Sequence, residues 1–145
     1  MTTTQPQRLT PSDVNELLDD RGLHDASRGP GCYALELDVP DSVEAAHRRW
    51  LAHVDTLPRD DGPRRFAEAP RCAYVGAGKN VYERLDEHAR GEERSARYPS
   101  VYPPVDVIDV WPARSTTQAF DHEYGRATDL ARQGWAVACN GVVVG

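Results

Sequence analysis

Apolar residues fall along this chain in two spacings. Val43, Ala46, Trp50, Leu51, Val54 and Leu57, with His47 among them, recur at helical intervals after Pro40-Asp41 and form the strongest amphipathic pattern in the sequence. Gly31 to Asp38 alternates instead, which places Tyr33, Leu35 and Leu37 on one face of a strand. A second strand, Arg71 to Val75, turns through Gly76 and Gly78 into a helix that opens at Asn80 and stops at Gly91. Its apolar stripe is Val81, Leu85 and Ala89, and Glu83 completes the pattern of a capping box. Val105 to Trp111 reads as a third strand, apolar enough to be central. Ser115 with Gln118 then opens a last helix, ended by Gly134, with Phe120, Tyr124, Ala127, Leu130 and Ala131 as its buried stripe and Glu123 beside it.

The remaining segments are shorter or more polar. The first ten residues are expected to be disordered. Thr10-Pro11 starts a helix well, with Val14, Leu17 and Leu18 as its apolar face and Gly22 as its end. Leu23 to Pro30, Pro58 to Pro70 and Glu92 to Pro104 read as loops, and Trp135 to Gly141 as a short strand-like tail turning at Asn140-Gly141. In the third loop Arg94, Arg97, Tyr98 and Tyr102 combine charge with aromatic rings, suited to holding a nucleic-acid backbone and stacking a base, or to an ordinary polar surface. There is no internal repeat, and 145 residues suit one domain with one core.

Composition narrows the setting. No apolar run approaches a membrane span or a signal-peptide core, which points to a cytoplasmic protein without membrane association. Cys32, Cys72 and Cys139 lack Cys-x-x-Cys spacing, which supports neither a zinc site nor a disulfide framework and fits buried free thiols. The chain has 23 acidic and 17 basic residues, a formal charge of −6, where nucleic-acid binders usually show a basic stripe. All but one of the basic residues are arginine, the exception being Lys79. An acidic, lysine-poor surface is what solubility in concentrated salt favours, where charge repulsion is screened within about 3 Å at 1 M. A halophilic origin is the expectation this raises, and GC-rich coding accounts equally for the missing lysines.

The candidate chemistry gathers around the second strand and its helix. Arg84 and His88 lie four residues apart and therefore share a helix face. Lys79 precedes the helix N-terminus, where backbone N–H groups and the helix dipole favour an anion, so it is a candidate phosphate contact. His88 has the natural pKa for general acid or base work, and a half-buried histidine bonded to a carbonyl is the alternative. The other histidines, His24, His47, His53 and His122, have no metal-ligand spacing. His122-Glu123 lacks the Cys-x-x-Cys of a deaminase, and Gly76-x-Gly78 lacks the third glycine of a dinucleotide fingerprint. No organic cofactor is expected.

Gly31-Cys32-Tyr33, Tyr74-Val75-Gly76, Arg84 ten residues beyond Tyr74, the later helix bearing Glu123, and Asn140 near the end occur in an order that resembles the GIY-YIG nuclease family. The resemblance covers about residues 29 to 141. It implies an α/β domain with a small, mainly antiparallel three-stranded sheet flanked by helices. Residues 1–28 would form an N-terminal tail and accessory helix and 29–145 the nuclease-like domain. The two tyrosine motifs usually lie on a short hairpin, but here they are 41 residues apart (74 − 33), so a helix must be inserted between the first two strands.

The family pattern implies a divalent-metal-dependent endonuclease acting on DNA, with branched or damaged DNA among the candidate substrates and RNA left open. By that resemblance Glu123 would be the lone protein ligand of Mg²⁺ or Mn²⁺, and Arg84 would hold the scissile phosphate. Tyr74 would orient or deprotonate the attacking water, Tyr33 would hydrogen-bond in the same pocket, and Asn140 would match the family's C-terminal asparagine. Each has a plainer alternative: Glu123 a solvated residue paired with Arg126, Arg84 an ion pair with Glu87 or Asp86, the tyrosines core residues, Asn140 a turn residue. For the whole chain the alternatives are a catalytically inactive nucleic-acid-binding module, or a protein-interaction domain that docks through residues 43–57.

Overall fold

The computed structural model describes residues 8–92 and 96–144. The expected disorder of the first residues lies mostly outside them, as does Arg94. Where the description begins, Leu9 is buried and donates its N–H to the carbonyl of Pro104 at 2.9 Å, so the ordered chain starts earlier than its polarity suggests.

Two short helices come first, α1 (Pro11–Asp20) and α2 (His24–Ser27), followed by β1 (Gly31–Leu37). Thr10 caps α1 and exchanges hydrogen bonds with Asp13 in a full capping box. Val14 and Leu18 of α1 belong to the main core cluster, so this helix is part of the domain's packing. Next come α3 (Val43–Leu51), α4 (Gly62–Glu68) and β2 (Cys72–Gly78). The inserted segment therefore holds two helices. The second, expected as loop, is nucleated by Asp61, whose side chain accepts the N–H of Arg64, with Pro63 in its first turn. The first stops at Leu51, leaving Val54 and Leu57 outside it.

The chain continues through α5 (Val81–Arg90), α6 (Arg97–Val101), β3 (Pro104–Pro112), α7 (Thr116–Arg132), β4 (Ala136–Cys139) and β5 (Val142–Val144). Asn80 caps α5 by accepting the Glu83 N–H, and Gly91 ends it in the left-handed conformation that glycine adopts freely. The third expected loop contains α6, which buries Tyr98 and Tyr102, so neither ring is open to stack a base.

The sheet has five strands in the order β3-β1-β2-β4-β5, and it is mixed. The antiparallel trio β3-β1-β2 matches the three expected strands; β2 and β4 pair in parallel, and β4 and β5 form a hairpin at Asn140-Gly141. The three-stranded sheet of the sequence reading is thus extended on one side by two strands, of which β4 falls in the strand-like tail expected from Trp135 to Gly141 and β5 lies beyond it. Both faces are covered. Tyr33, Leu35, Ala138 and Val143 point into a cluster with α1 and α3–α6, while Ala34, Val75, Val137 and Cys139 pack on Ala127 and Leu130 of α7. No helix among the described residues is long and apolar enough to cross a membrane.

Candidate active site

The site is built first by the register of β1 on β2. Tyr33 faces Gly76 across the ladder, and Tyr74, two residues before Gly76, projects on the same side. A Cβ on Gly76 would lie 2.5 Å from Cζ of Tyr33 and 2.9 Å from Cε2 of Tyr74, so the two phenols meet where the strand has no side chain. The sequence suggested a turn at Gly76; the structure keeps it in the strand and uses it as a cradle.

Helix α5 lies over that cradle and brings Arg84 and His88 down on it. The Tyr33 hydroxyl stands 2.8 Å from Nε2 of His88, and the rings of Tyr33, Tyr74 and His88 are mutual neighbours with centroids 5.5–6.2 Å apart. Arg84 pairs with Glu87 at 2.5 Å and also donates to the Tyr33 oxygen, while its aliphatic stem passes close over Gly78. With that oxygen accepting from Arg84, the phenolic proton is available to Nε2, and a neutral imidazole accepting there carries its own proton on Nδ1. The ion pair proposed as the plain alternative for Arg84 is therefore formed, within the same group that would bind phosphate.

Glu123 approaches from the opposite face. It was expected beside a buried stripe, but α7 is turned so that Ala119, Glu123, Ala127 and Leu130 face the sheet, while Phe120 and Tyr124 are 54% and 60% exposed. The smaller side chains allow α7 to sit close, and the carboxylate is only 4% exposed. Arg126 does not pair with it; its guanidinium lies over the Trp111 ring at 5.0 Å.

What accepts a buried carboxylate here is the early end of β4. The parallel ladder stops at Tyr74↔Ala138, and beyond it the Ala77 N–H of β2, the Cys139 thiol and the Asn140 amide all donate to Glu123. Asn140 takes φ +50° at the hairpin turn, so it serves both as turn residue and as partner of Glu123. Lys79 and Arg84 line a neighbouring cleft of about 290 Å³ with Asn80, Glu83 and Glu87. Lys79 is exposed at its rim.

The electrostatics are those of a dry site. Burial, then the charges of Arg84 and Arg8, hold His88 down at about 3, so the imidazole is neutral at ordinary pH. Burial and the nearby Glu123 charge push Tyr74 up to about 12, against the pull of Arg84, and burial raises Tyr33 well above its usual value. Tyr74 is therefore a proton donor and orienting group at neutral pH, and the protein alone does not make it a base. Burial raises Glu123 too, against its three hydrogen-bond donors. Burial works against the charge on Arg84, but Tyr33 and Glu87 outweigh it.

Among the described residues no group of three or more His, Cys, Asp or Glu side chains is gathered. Tyr33, Tyr74, Arg84 and His88 form one group on the α5 side of the sheet, and Glu123 with Asn140 forms a second on the α7 side whose charge is felt at Tyr74; Lys79 stands apart from both. Gly76 belongs to the first group and Ala77 and Cys139 to the second, and their signal in sequence was only their place in two short strands. Comparison with family models, with curated proteins and with solved structures finds no match to this chain.

Proposed function

We propose that this protein is a divalent-metal-dependent endonuclease that hydrolyses DNA phosphodiester bonds. The observation that supports this reading best is the convergence of Tyr33, Tyr74, Arg84 and His88 above β2 with Glu123 below its uncovered edge. Mg²⁺ or Mn²⁺ held by Glu123 would supply positive charge to the phosphoryl oxygens. Arg84 binds the phosphate, a task that its planar, permanently charged fork suits. Tyr74 orients water through its protonated hydroxyl, and Tyr33 fixes both Tyr74 and Arg84. Neutral His88 holds the Tyr33 proton. Asn140 keeps the carboxylate of Glu123 in place, and Lys79 adds charge at the rim.

The proposed site lies at the C-terminal ends of two parallel strands, β2 and β4, where strand carboxyl ends commonly open a crevice. The test is cleavage of branched, nicked, single-stranded and duplex DNA with Mg²⁺ or Mn²⁺, beside Arg84→Ala and Glu123→Gln. Cutting by the native protein that both variants lose is the expected result; equal cutting by Glu123→Gln would overturn the site.

A second reading, a catalytically inactive nucleic-acid-binding domain, is favoured by the burial of Glu123 and by the engagement of Arg84 with Glu87. It predicts binding without turnover on the same panel. The third, docking through residues 43–57, draws less support, because Ala46 and Trp50 of α3 are buried in the core.

A further inference from the structure

On the same side of the sheet as the tyrosines, two cavities adjoin through shared walls at Val54 and Arg97. The larger, about 620 Å³, carries Arg8, His53, Arg97 and Ser100, with Glu92 as the one acidic side chain among the described residues. The smaller, about 310 Å³, has an apolar wall of Val54, Leu57 and Pro58, with the buried Trp50 and Tyr98 also lining it, and reaches Gly141. Gly141 directly follows Asn140, the amide partner of Glu123. Arg97 forms no ion pair among the described residues, whereas Arg8 also donates to the carbonyl of His88 at 3.0 Å.

We infer that this groove is the path of a single nucleic-acid strand leading to the proposed phosphodiester site, with phosphates on Arg97 and Arg8 and one unstacked base against the apolar wall at Val54, Leu57 and Pro58. The inference rests on the nuclease reading and names its substrate class: a strand that is single or splayed where it enters. Charge complementarity argues for it, since a chain of net charge −6 places, among its described residues, two arginines, a histidine and a single acid around this cavity. Shape argues for it as well. Cavities of this size lined by apolar groups with a few polar ones take a base and its phosphate, and a concave path needs a flexible strand rather than a stiff duplex. The arginine expected to meet a backbone is thus placed to do so, while the tyrosines expected to stack bases are replaced by an apolar wall.

The experiment is fluorescence anisotropy of a labelled single-stranded oligonucleotide and of its blunt duplex, in EDTA so that no cleavage intervenes, over a range of salt. Variants are Arg97→Ala, Leu57→Glu, which puts a negative charge on an exposed wall position, and Arg84→Ala. The native chain is expected to prefer the single strand. Arg97→Ala should weaken that binding about tenfold and reduce the salt slope by about 0.7, one phosphate contact on a single strand; Leu57→Glu should weaken it comparably. If both groove variants bind with unchanged affinity and slope while Arg84→Ala loses binding, the path is wrong and the nuclease reading survives. Preference for the duplex overturns the substrate class. No binding by the native chain at any salt overturns both.

Discussion

The hydroxyl of Tyr33 lies 2.8 Å from Nε2 of His88, and the two side chains are 0% and 1% exposed. A histidine in such a place must stay neutral, and its value of about 3 in the folded chain contrasts with about 6.5 when the chain is unfolded. Below about pH 6.5 the unfolded chain takes up a proton that the folded one refuses. Its contribution to stability is therefore whole above about pH 6.5 and is lost as the pH falls toward about 3, at up to about 1.4 kcal/mol per pH unit. Urea midpoints measured across that range should show this slope, and His88→Gln should flatten it. An identical slope in the variant would assign the titration to another group.

Gly76 is a second test of the same cluster. Its φ is not positive, so alanine carries no backbone strain there and would reduce the freedom of the unfolded chain. The added methyl would nonetheless press into the Tyr33 and Tyr74 rings, and Gly76→Ala is expected to cost about 1–3 kcal/mol. In a double-mutant cycle with Tyr33→Ala the two losses should not add, because the second change removes the ring the first one strikes. Additive losses in chemical denaturation would rule out that contact.

Glu123 separates chemistry from packing. Glu123→Gln keeps the shape and an oxygen that accepts the Ala77 N–H, whereas Glu123→Ala leaves buried donors unpaired. Alanine should therefore cost about 1–3 kcal/mol of stability and glutamine less, while both lower cleavage by about 100-fold or more. A solvent-exposed glutamate, as the sequence suggested, would give no difference in stability between the two. Melting curves beside the cleavage assay decide this.

Phe120 and Tyr124 make the opposite prediction. Read from sequence as core residues, they stand in solvent, and replacing either by alanine should change stability by no more than about 0.5 kcal/mol. A loss of several kcal/mol in urea denaturation would restore the buried stripe.

The error at α7 shows how far the sequence carries. Helical spacing locates a helix and its ends, as Ser115 and Gly134 do, and Ala127 and Leu130 are buried as expected, but the first half of the helix could bury either Phe120 and Tyr124 or Ala119 and Glu123. Packing against a doubly covered sheet favoured the smaller residues, and that rotation carried Glu123 inward. The strands of the antiparallel trio were legible because each alternates or is long and apolar, as at Tyr33-Leu35-Leu37. Of the β4–β5 hairpin, four and three residues long, the first strand and the turn at Asn140-Gly141 were visible as a strand-like tail, and the pairing with β2 and the return strand were not. Helix α4 was masked by Pro63 and the surrounding charges, although Asp61 and that proline are themselves start signals. For the site, the shared face of Arg84 and His88 could be read directly from their spacing. Their meeting with Tyr33 depends on the β1–β2 register, and the partners of Glu123 depend on where β4 stops.

That stopping point also orders the assembly of the molecule. The β2–β4 pairs are all 64 positions apart (136 − 72), against 37 to 47 between β1 and β2 (73 − 36, 78 − 31). Loop-closure cost rises with that separation, so the β1–β2 ladder is the cheaper of the two to close. The cradle of tyrosines, arginine and histidine belongs to β1, β2 and α5 and can form before the terminal hairpin arrives. The wall around Glu123, made by Cys139 and Asn140, cannot. A chain whose terminal hairpin has not docked would hold its tyrosines, arginine and histidine together and still lack the wall that seats Glu123, so if the proposed function holds, the hairpin is the part that completes the site.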